Sequence, residues 1–222
     1  MVDPGTGGAI STLRTFVAGL DDTYSLVESG MPGAAIQVDF TPIGARQLLQ
    51  VPMHLVAKRT TELTEILGRQ TNQLLEQLFD TPDWYSRFVT LDNFLLSRIR
   101  RAERPTREID WAWGQLDVSR GSIPVRAISE QLGWTRKRLV KTFRDEIGVS
   151  PKVLGRVLRF QRTLAELNSR KIVNFSGIAA ECGYSDQAHM IREFKDFSGL
   201  TPVELVHCYS PGAGVLEQSP ED

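Results

Sequence analysis

Two stretches decide the reading of this chain: ISEQLGWTRKRLVKTFRDEIGVSP, from Ile128 to Pro151, and IAAECGYSDQAHMIREFKDFSGLTP, from Ile178 to Pro202. They carry one pattern twice. Gly133, Trp134 and Thr135 correspond to Gly183, Tyr184 and Ser185 at an offset of 50. Phe143, Gly148 and Pro151 correspond to Phe194, Gly199 and Pro202 at an offset of 51, so one residue has been added near the start of the second block's longer helix. Stacked arrays need three or more repeats, and two copies therefore read as a duplicated module.

Each block reads helix, tight turn, helix. Ile128 and Leu132 lie one turn apart on a short helix, and Gly133 supplies the turn. Thr135 suits the N-cap of the next helix, and Ser185 takes that part in the second block. Leu139 and Phe143 face inward with Val140 and Ile147 flanking them, as do Met190, Phe194 and Phe197. At about 100° per residue, Lys137, Arg138 and Lys141 fall on the opposite side, with Arg136 in the first turn and Arg144 on the flank. Residues 136–144 hold five basic side chains and no acidic one. A solvated face ordinarily mixes both signs, whereas a carboxylate among nucleic-acid phosphates is repelled. In the second unit the outward positions are Ala188, His189 and Arg192, with Gln187 in the first turn. Asp186 and Glu193 make that helix less basic, which predicts a smaller share of the affinity. Arginine and lysine pair with guanine edges and glutamine with adenine. Between the blocks, Pro151 to Asn168 reads as one long helix, with proline in its first turn and Val153, Val157, Phe160 and Leu164 on one face.

Outward from this core the signals weaken. Ile109, Trp113 and Leu116 form a stripe on a helix that precedes the first block. Arg100 to Arg107, RRAERPTR, is polar and contains Pro105, which marks an inter-domain linker. Before it, Ile36, Val38 and Phe40 alternate with Gln37 and Asp39, the period of a half-buried strand, and a shorter strand runs from Leu13 to Val17. Pro42 and Gly44 then break the strand. Leu74, Leu75, Leu78 and Phe79 make one helical apolar face, and Trp84, Phe88, Leu91 and Leu95 another. The chain thus divides into a small α/β N-terminal region over 1–105, regulatory or dimerising, an all-α region over 106–208, and a disordered acidic tail over 209–222.

Composition excludes more than it assigns. The 222 residues carry a net charge of −1, yet the three regions carry −2, +4 and −3, so the basic excess coincides with the repeated blocks. No apolar run of about 18 residues is present, which argues against a membrane span. MVDPGTGGAIS lacks the basic and apolar regions of a signal peptide, and the cytoplasm is the expected compartment. Cys182 and Cys208 form no disulfide framework or metal spacing; Cys182 reads as packing, as do Trp111, Trp113 and Trp134. His54 and His207 read as incidental. GTGG at 5–8 lacks the lysine and hydroxyl of a phosphate-binding loop. Residues 1–105 hold one histidine, no cysteine and no nucleophile elbow, which disfavours a hydrolase or transferase. An alkyltransferase would need several zinc-bound thiolates. No cofactor or metal is expected, and no enzymatic activity.

The two blocks, their spacing and their G-x-[ST]-P endings resemble the C-terminal domain of AraC-type bacterial transcription regulators. Gly133, Leu139, Phe143, Gly148 and Pro151 carry the match in the first unit. Ala179, the run Cys182 to Ser185, His189, Phe194, Gly199 and Pro202 carry it in the second. QVDFTPIGARQLLQVPM, followed later by DW and WAW, is similar to the N-terminal region of one subgroup, whose members carry a further portion ahead of it; 1–105 is accordingly expected to be incomplete. The resemblance implies a double helix-turn-helix domain joined by a long helix, with double-stranded DNA as the partner and RNA polymerase as a candidate second one. One monomer would place two recognition helices in successive major-groove segments. Carried over by position, Lys137 and Lys141 fall at or near the bases, as do Gln187, His189 and Arg192, while Arg136 and Arg138 fall on phosphate. Val140 would read by apolar contact, for instance with a thymine methyl. A competing reading is a protein-interaction module that keeps the fold without DNA binding. The effector and the sign of regulation stay open.

Overall fold

The computed structural model describes residues 13–24, 35–169 and 174–208; the acidic tail at 209–222 lies outside the described residues. In chain order the elements are β1 (Phe16–Ala18), α1 (Pro42–Leu49), a 3-10 turn (Met53–Leu55), β2 (Thr60–Glu62), α2 (Leu63–Leu67), α3 (Arg69–Asp80), α4 (Trp84–Arg101), α5 (Arg107–Val118), α6 (Val125–Gln131), α7 (Arg136–Ile147), α8 (Pro151–Ser169), α9 (Phe175–Glu181), α10 (Gln187–Ser198) and α11 (Pro202–Cys208). The protein is mainly helical. A two-stranded antiparallel sheet, with Val17 opposite Thr61, is the β part of the N-terminal region.

The helical half packs around two cores that share α8. Ile109, Leu116, Ile128, Leu139, Phe143, Ile147 and Leu154 form the first, and Leu167, Ile178, Met190, Phe194 and Leu205 the second. Phe143 and Phe194 are fully buried. Val153 and Leu158 of α8 pack on the first core, while Phe160 and Leu164 pack on the second. One rigid helix of 19 residues therefore belongs to both units. Pro151 opens it, where a missing N–H costs nothing. The turn after α5 seats against it backbone to backbone. Gly121 has φ +77°, and a Cβ there would stand 2.1 Å from the Gly155 carbonyl oxygen.

The N-terminal region packs directly on the first unit. A third cluster of Leu48, Leu49, Met53 and Val56 lies in the N-terminal region, and Leu20, Ile43 and Ala57 pack against the first unit's core. Gly148, which ends α7 at φ +103°, leaves only 3.0 Å between an added Cβ and the Met53 carbonyl oxygen. His54 Nδ1 sits 3.1 Å from Asp145 of α7. Thr106, in the short Pro105 linker after α4, donates through its N–H and hydroxyl to Glu146 at 2.9 and 3.0 Å.

Three expectations for this region change. Residues 35–41 are irregular, and Val38 and Phe40 are exposed. An alternating pattern makes a strand only where a neighbour completes the ladder, and β1 pairs with Thr60–Glu62 instead. The early strand begins at Phe16, three residues later than expected. On α4, Leu91 and Leu95 turn inward but Trp84 and Phe88 remain about half exposed, and on α3 Phe79 points outward.

Candidate nucleic-acid interface

Both helix-turn-helix units are built by the same local rules. The turns at Gly133 and Gly183 take φ +63° and +79°, a region that favours glycine. Thr135 caps α7, its hydroxyl accepting the Arg138 N–H at 3.2 Å. The cap of α10 is Asp186, not Ser185: its Oδ1 accepts the His189 N–H, and its Oδ2 accepts the Ser185 hydroxyl at 3.1 Å. These bonds hold the Asp186 carboxyl below its ordinary range. The added residue thus lies in the turn, so α7 and α10 superpose in sequence at an offset of 51 over their whole length.

That register pairs the side chains of the two helices. Arg136 matches Gln187, Lys137 matches Ala188, Arg138 matches His189, Lys141 matches Arg192 and Arg144 matches Lys195. All of these are exposed except His189, which is part-buried. Val140 and its counterpart Ile191 are also part-buried. Helical pattern alone misses Lys195 and places Arg144 only on the flank. Their equivalence emerges once the two helices are registered from their caps.

Three of the candidate side chains are held by neighbours. The Arg138 guanidinium lies over the Trp134 ring, 4.2 Å from its centroid. Gln187 accepts the Ser176 hydroxyl at 2.9 Å, which leaves its amide hydrogens as donors. His189 uses both ring nitrogens inside the protein: Nε2 lies 3.2 Å from Glu193 Oε2, and Nδ1 3.1 Å from the Ser185 hydroxyl. Because a carboxylate only accepts, Nε2 carries a proton toward Glu193, and the Ser185 backbone N–H also points at Nδ1, at 3.4 Å. The ring also stands edge-on to Tyr184 at 5.4 Å.

Glu193 is the hub beneath this surface. Only 4% exposed, it takes two bonds from Arg159 Nη2, at 2.9 and 3.1 Å, and lies 3.4 Å from Arg156 Nε. The acidic residue that made α10 look less suited to phosphate is turned inward and neutralised by α8. Arg156 also donates to Asp196 at 3.0 Å. Tyr184, packed beside Thr163, has its hydroxyl pushed up to about 12 by burial and stays protonated. Between α8 and α10 an open cleft of about 730 Å³ is lined by Lys152, Arg156, Arg192 and Lys195, among others.

One further contact runs from the N-terminal region. Asp22 pairs with Lys58 and, at 3.4 Å, with Arg156 of α8. Burial works against its charge, but the two cations outweigh it and hold its carboxyl below the ordinary 3.8. Nearby, the Tyr24 ring abuts Gly199 at the end of α10. The same short segment thus reaches both units.

No group of three or more His, Cys, Asp or Glu suited to a metal occurs among the described residues. No helix among them is long and apolar enough to cross a membrane. Residues 128–207 match a family described as a helix-turn-helix domain. Among curated proteins no relative matches. A solved structure, the C-terminal domain of AraT, a response regulator from Geobacillus stearothermophilus, is similar to this chain at 19% identity and a TM-score of 0.44, over 54% of this chain and 95% of that one. The family match, the duplicated units and the exposed basic helix together identify residues 128–207 as an AraC-type helix-turn-helix domain, the kind of module with which transcription regulators bind DNA.

Proposed function

We propose that this chain is a sequence-specific regulator of transcription that sets α7 and α10 into successive major-groove segments on one face of double-stranded DNA. The observation that carries the reading is the register of the two helices: Arg136 with Gln187, Lys141 with Arg192 and Arg144 with Lys195 occupy equivalent exposed positions on helices joined by one rigid connector. Lys137, Lys141, Gln187 and Arg192 are assigned to base edges. Arg136, Arg138, Arg144 and Lys195 are assigned to phosphates, Arg138 pre-positioned by Trp134. His189, which the family resemblance puts at the bases, is reassigned to holding the start of α10 through Ser185 and Glu193. The chain acts by binding rather than by catalysis, in the bacterial cytoplasm, with RNA polymerase as a candidate second partner.

The connector sets the geometry. At 1.5 Å per residue α8 spans about 28 Å, short of the ~34 Å between successive major-groove faces on straight DNA. A moderate bend toward the protein closes the gap, at a cost of a few kcal/mol that added phosphate contacts offset. Binding-site selection from random duplexes with the full chain tests the proposal. It should return one motif in two blocks about one helical turn apart, with affinity falling steeply as salt rises. Retention without sequence enrichment would overturn the specificity, and no binding at low salt would favour the protein-interaction reading.

A further inference from the structure

The helix that joins the two units opens on a cation. Lys152 stands in the first turn of α8, which holds no acidic residue. The start of a helix is its positive end, where a cation is disfavoured, so the lysine is placed against the local preference. α5, which has no part in the proposed docking, opens instead on Glu108 and Asp110. Lys152, Arg156 and Arg159 follow one another at i, i+4 and i+7, a stripe about 60° wide along α8. Across the open cleft they meet Arg192, Glu193 and Asp196 of α10. The inner charges are matched: Glu193 is shared by Arg156 and Arg159, and Arg156 also holds Asp196. The rim is not matched. Lys152, Arg192 and Lys195 are exposed, and among the described residues none of the three belongs to an ion pair. Cations therefore outnumber carboxylates in the lining, and such a cleft gathers anions.

Position identifies the anion. α8 begins at Pro151, just after α7 ends at Ile147, and the opposite rim carries Arg192, assigned above to a base edge. The cleft thus lies between the two recognition helices, where a duplex docked on both presents the backbone that crosses from one groove segment to the next. We infer that the cleft seats this sugar–phosphate backbone, with Lys152 on the α8 rim and Lys195 on the α10 rim as its phosphate contacts. The seat depends on the docking of α7 and α10 proposed above, and it adds to that docking a contact on the connector itself. Phosphate contacts fix register and orientation without reading sequence. A contact at the centre of the protein-facing side forms only when the duplex comes toward α8, so Lys152 supplies what repays the bend.

Methylphosphonate substitution, which removes one backbone charge at a time, tests this with the full chain on its selected site. Uncharged groups placed between the two blocks of the motif should weaken the wild type about threefold or more and leave Lys152→Ala almost unaffected. The same groups at the outer ends of the motif should weaken both proteins alike. Lys152→Ala should also lower the salt slope by about one, so that between about 50 and 200 mM salt it loses about threefold less affinity than the wild type. Its bend in circular-permutation gel shifts should be smaller. Lys152→Arg should keep both slope and bend. Arg69→Ala removes an exposed cation of α3 that does not line the cleft; it should keep the slope, which separates a contact from a change in net charge. Lys152 is exposed, so the helical circular dichroism should not change. A wild type indifferent to the central methylphosphonates, or a Lys152→Ala with the slope and bend of the wild type, overturns the seat while the two-block motif, and with it the docking, stands. A wild type that selects no motif overturns the docking itself and the seat with it, before any variant is made.

Discussion

The two helix-turn-helix units share a backbone plan and differ in how their recognition helices are held. α7 is fastened at its far end, where Gly148 meets the Met53 carbonyl, His54 meets Asp145 and Thr106 meets Glu146. Its residues 136–144 carry five cations and no carboxylate. α10 is fastened along its length, through Glu193, to two arginines of α8 and to its own His189. Its outer face carries Gln187, Arg192 and Lys195. The first unit is thus organised to supply charge and the second to hold an orientation. A duplicated module has kept its core and divided its labour at the surface.

The comparison is tested most severely in the cores. Phe143 and Phe194 are equivalent and fully buried. Each changed to Ala should cost about 3–5 kcal/mol, read by urea unfolding, and the two losses should agree if the cores are as alike as their register. The hub comes next. Glu193→Gln leaves Arg156 and Arg159 without their common carboxylate. Breaking a buried pair costs about 3–5 kcal/mol, and the arginines' partial exposure brings the expected loss to about 2 kcal/mol. Its counterpart Thr142→Val should stay within about 0.5 kcal/mol, as ordinary surface changes do. Equal losses at both positions would erase the contrast.

Much of this architecture is legible in the amino-acid sequence. The two glycine turns, the Thr135 cap, the Pro151 start of α8 and the inward Phe143 and Phe194 all follow from local chemistry and helical period. The features that escape such a reading depend on distant partners. Nothing local shows that Glu193 turns inward, because its burial needs Arg156 and Arg159 more than thirty positions earlier. The alternation at 36–40 promises a strand, but β1 finds its ladder at Thr60–Glu62, a three-residue stretch without alternation. The cap of α10 moves to Asp186 because the added residue sits in the turn, which matching from the glycine side cannot reveal. Trp84 and Phe88 share the helical face of Leu91 and Leu95, yet toward the start of α4 they stay about half exposed while Leu91 is buried.

Smaller effects concern contacts at the surface. Lys141→Ala and Arg192→Ala should each weaken binding to a selected site by about 1–3 kcal/mol, with little loss on random DNA. Arg138→Ala should weaken both alike and flatten the salt slope by about one unit. Competition binding against point-mutated sites separates the two patterns, and equal losses on selected and random DNA for Lys141→Ala would sink its assignment to a base.

The smallest effect is the clasp between the N-terminal region and α8. Asp22 titrates below its ordinary value in the folded protein. A depressed carboxyl contributes stability above its unfolded pKa and loses it as pH falls through the folded one. Asp22→Asn should therefore cost under about 1 kcal/mol near neutrality, and the gap should close in the acid range below pH 3.8. Asp21 beside it, raised mainly by burial, has the opposite sign and is common to both proteins, so the difference isolates Asp22. Thermal unfolding of the pair across pH reads it.

In the proposed function both recognition helices dock at once, held by α8. Hydroxyl-radical footprinting of the full chain on its selected site tests this most directly. Two protected patches are expected on one face of the duplex, about one helical turn apart, with Lys141→Ala thinning one patch and Arg192→Ala the other. A single patch, unchanged by Arg192→Ala, would contradict it and leave α7 as the only helix in the groove.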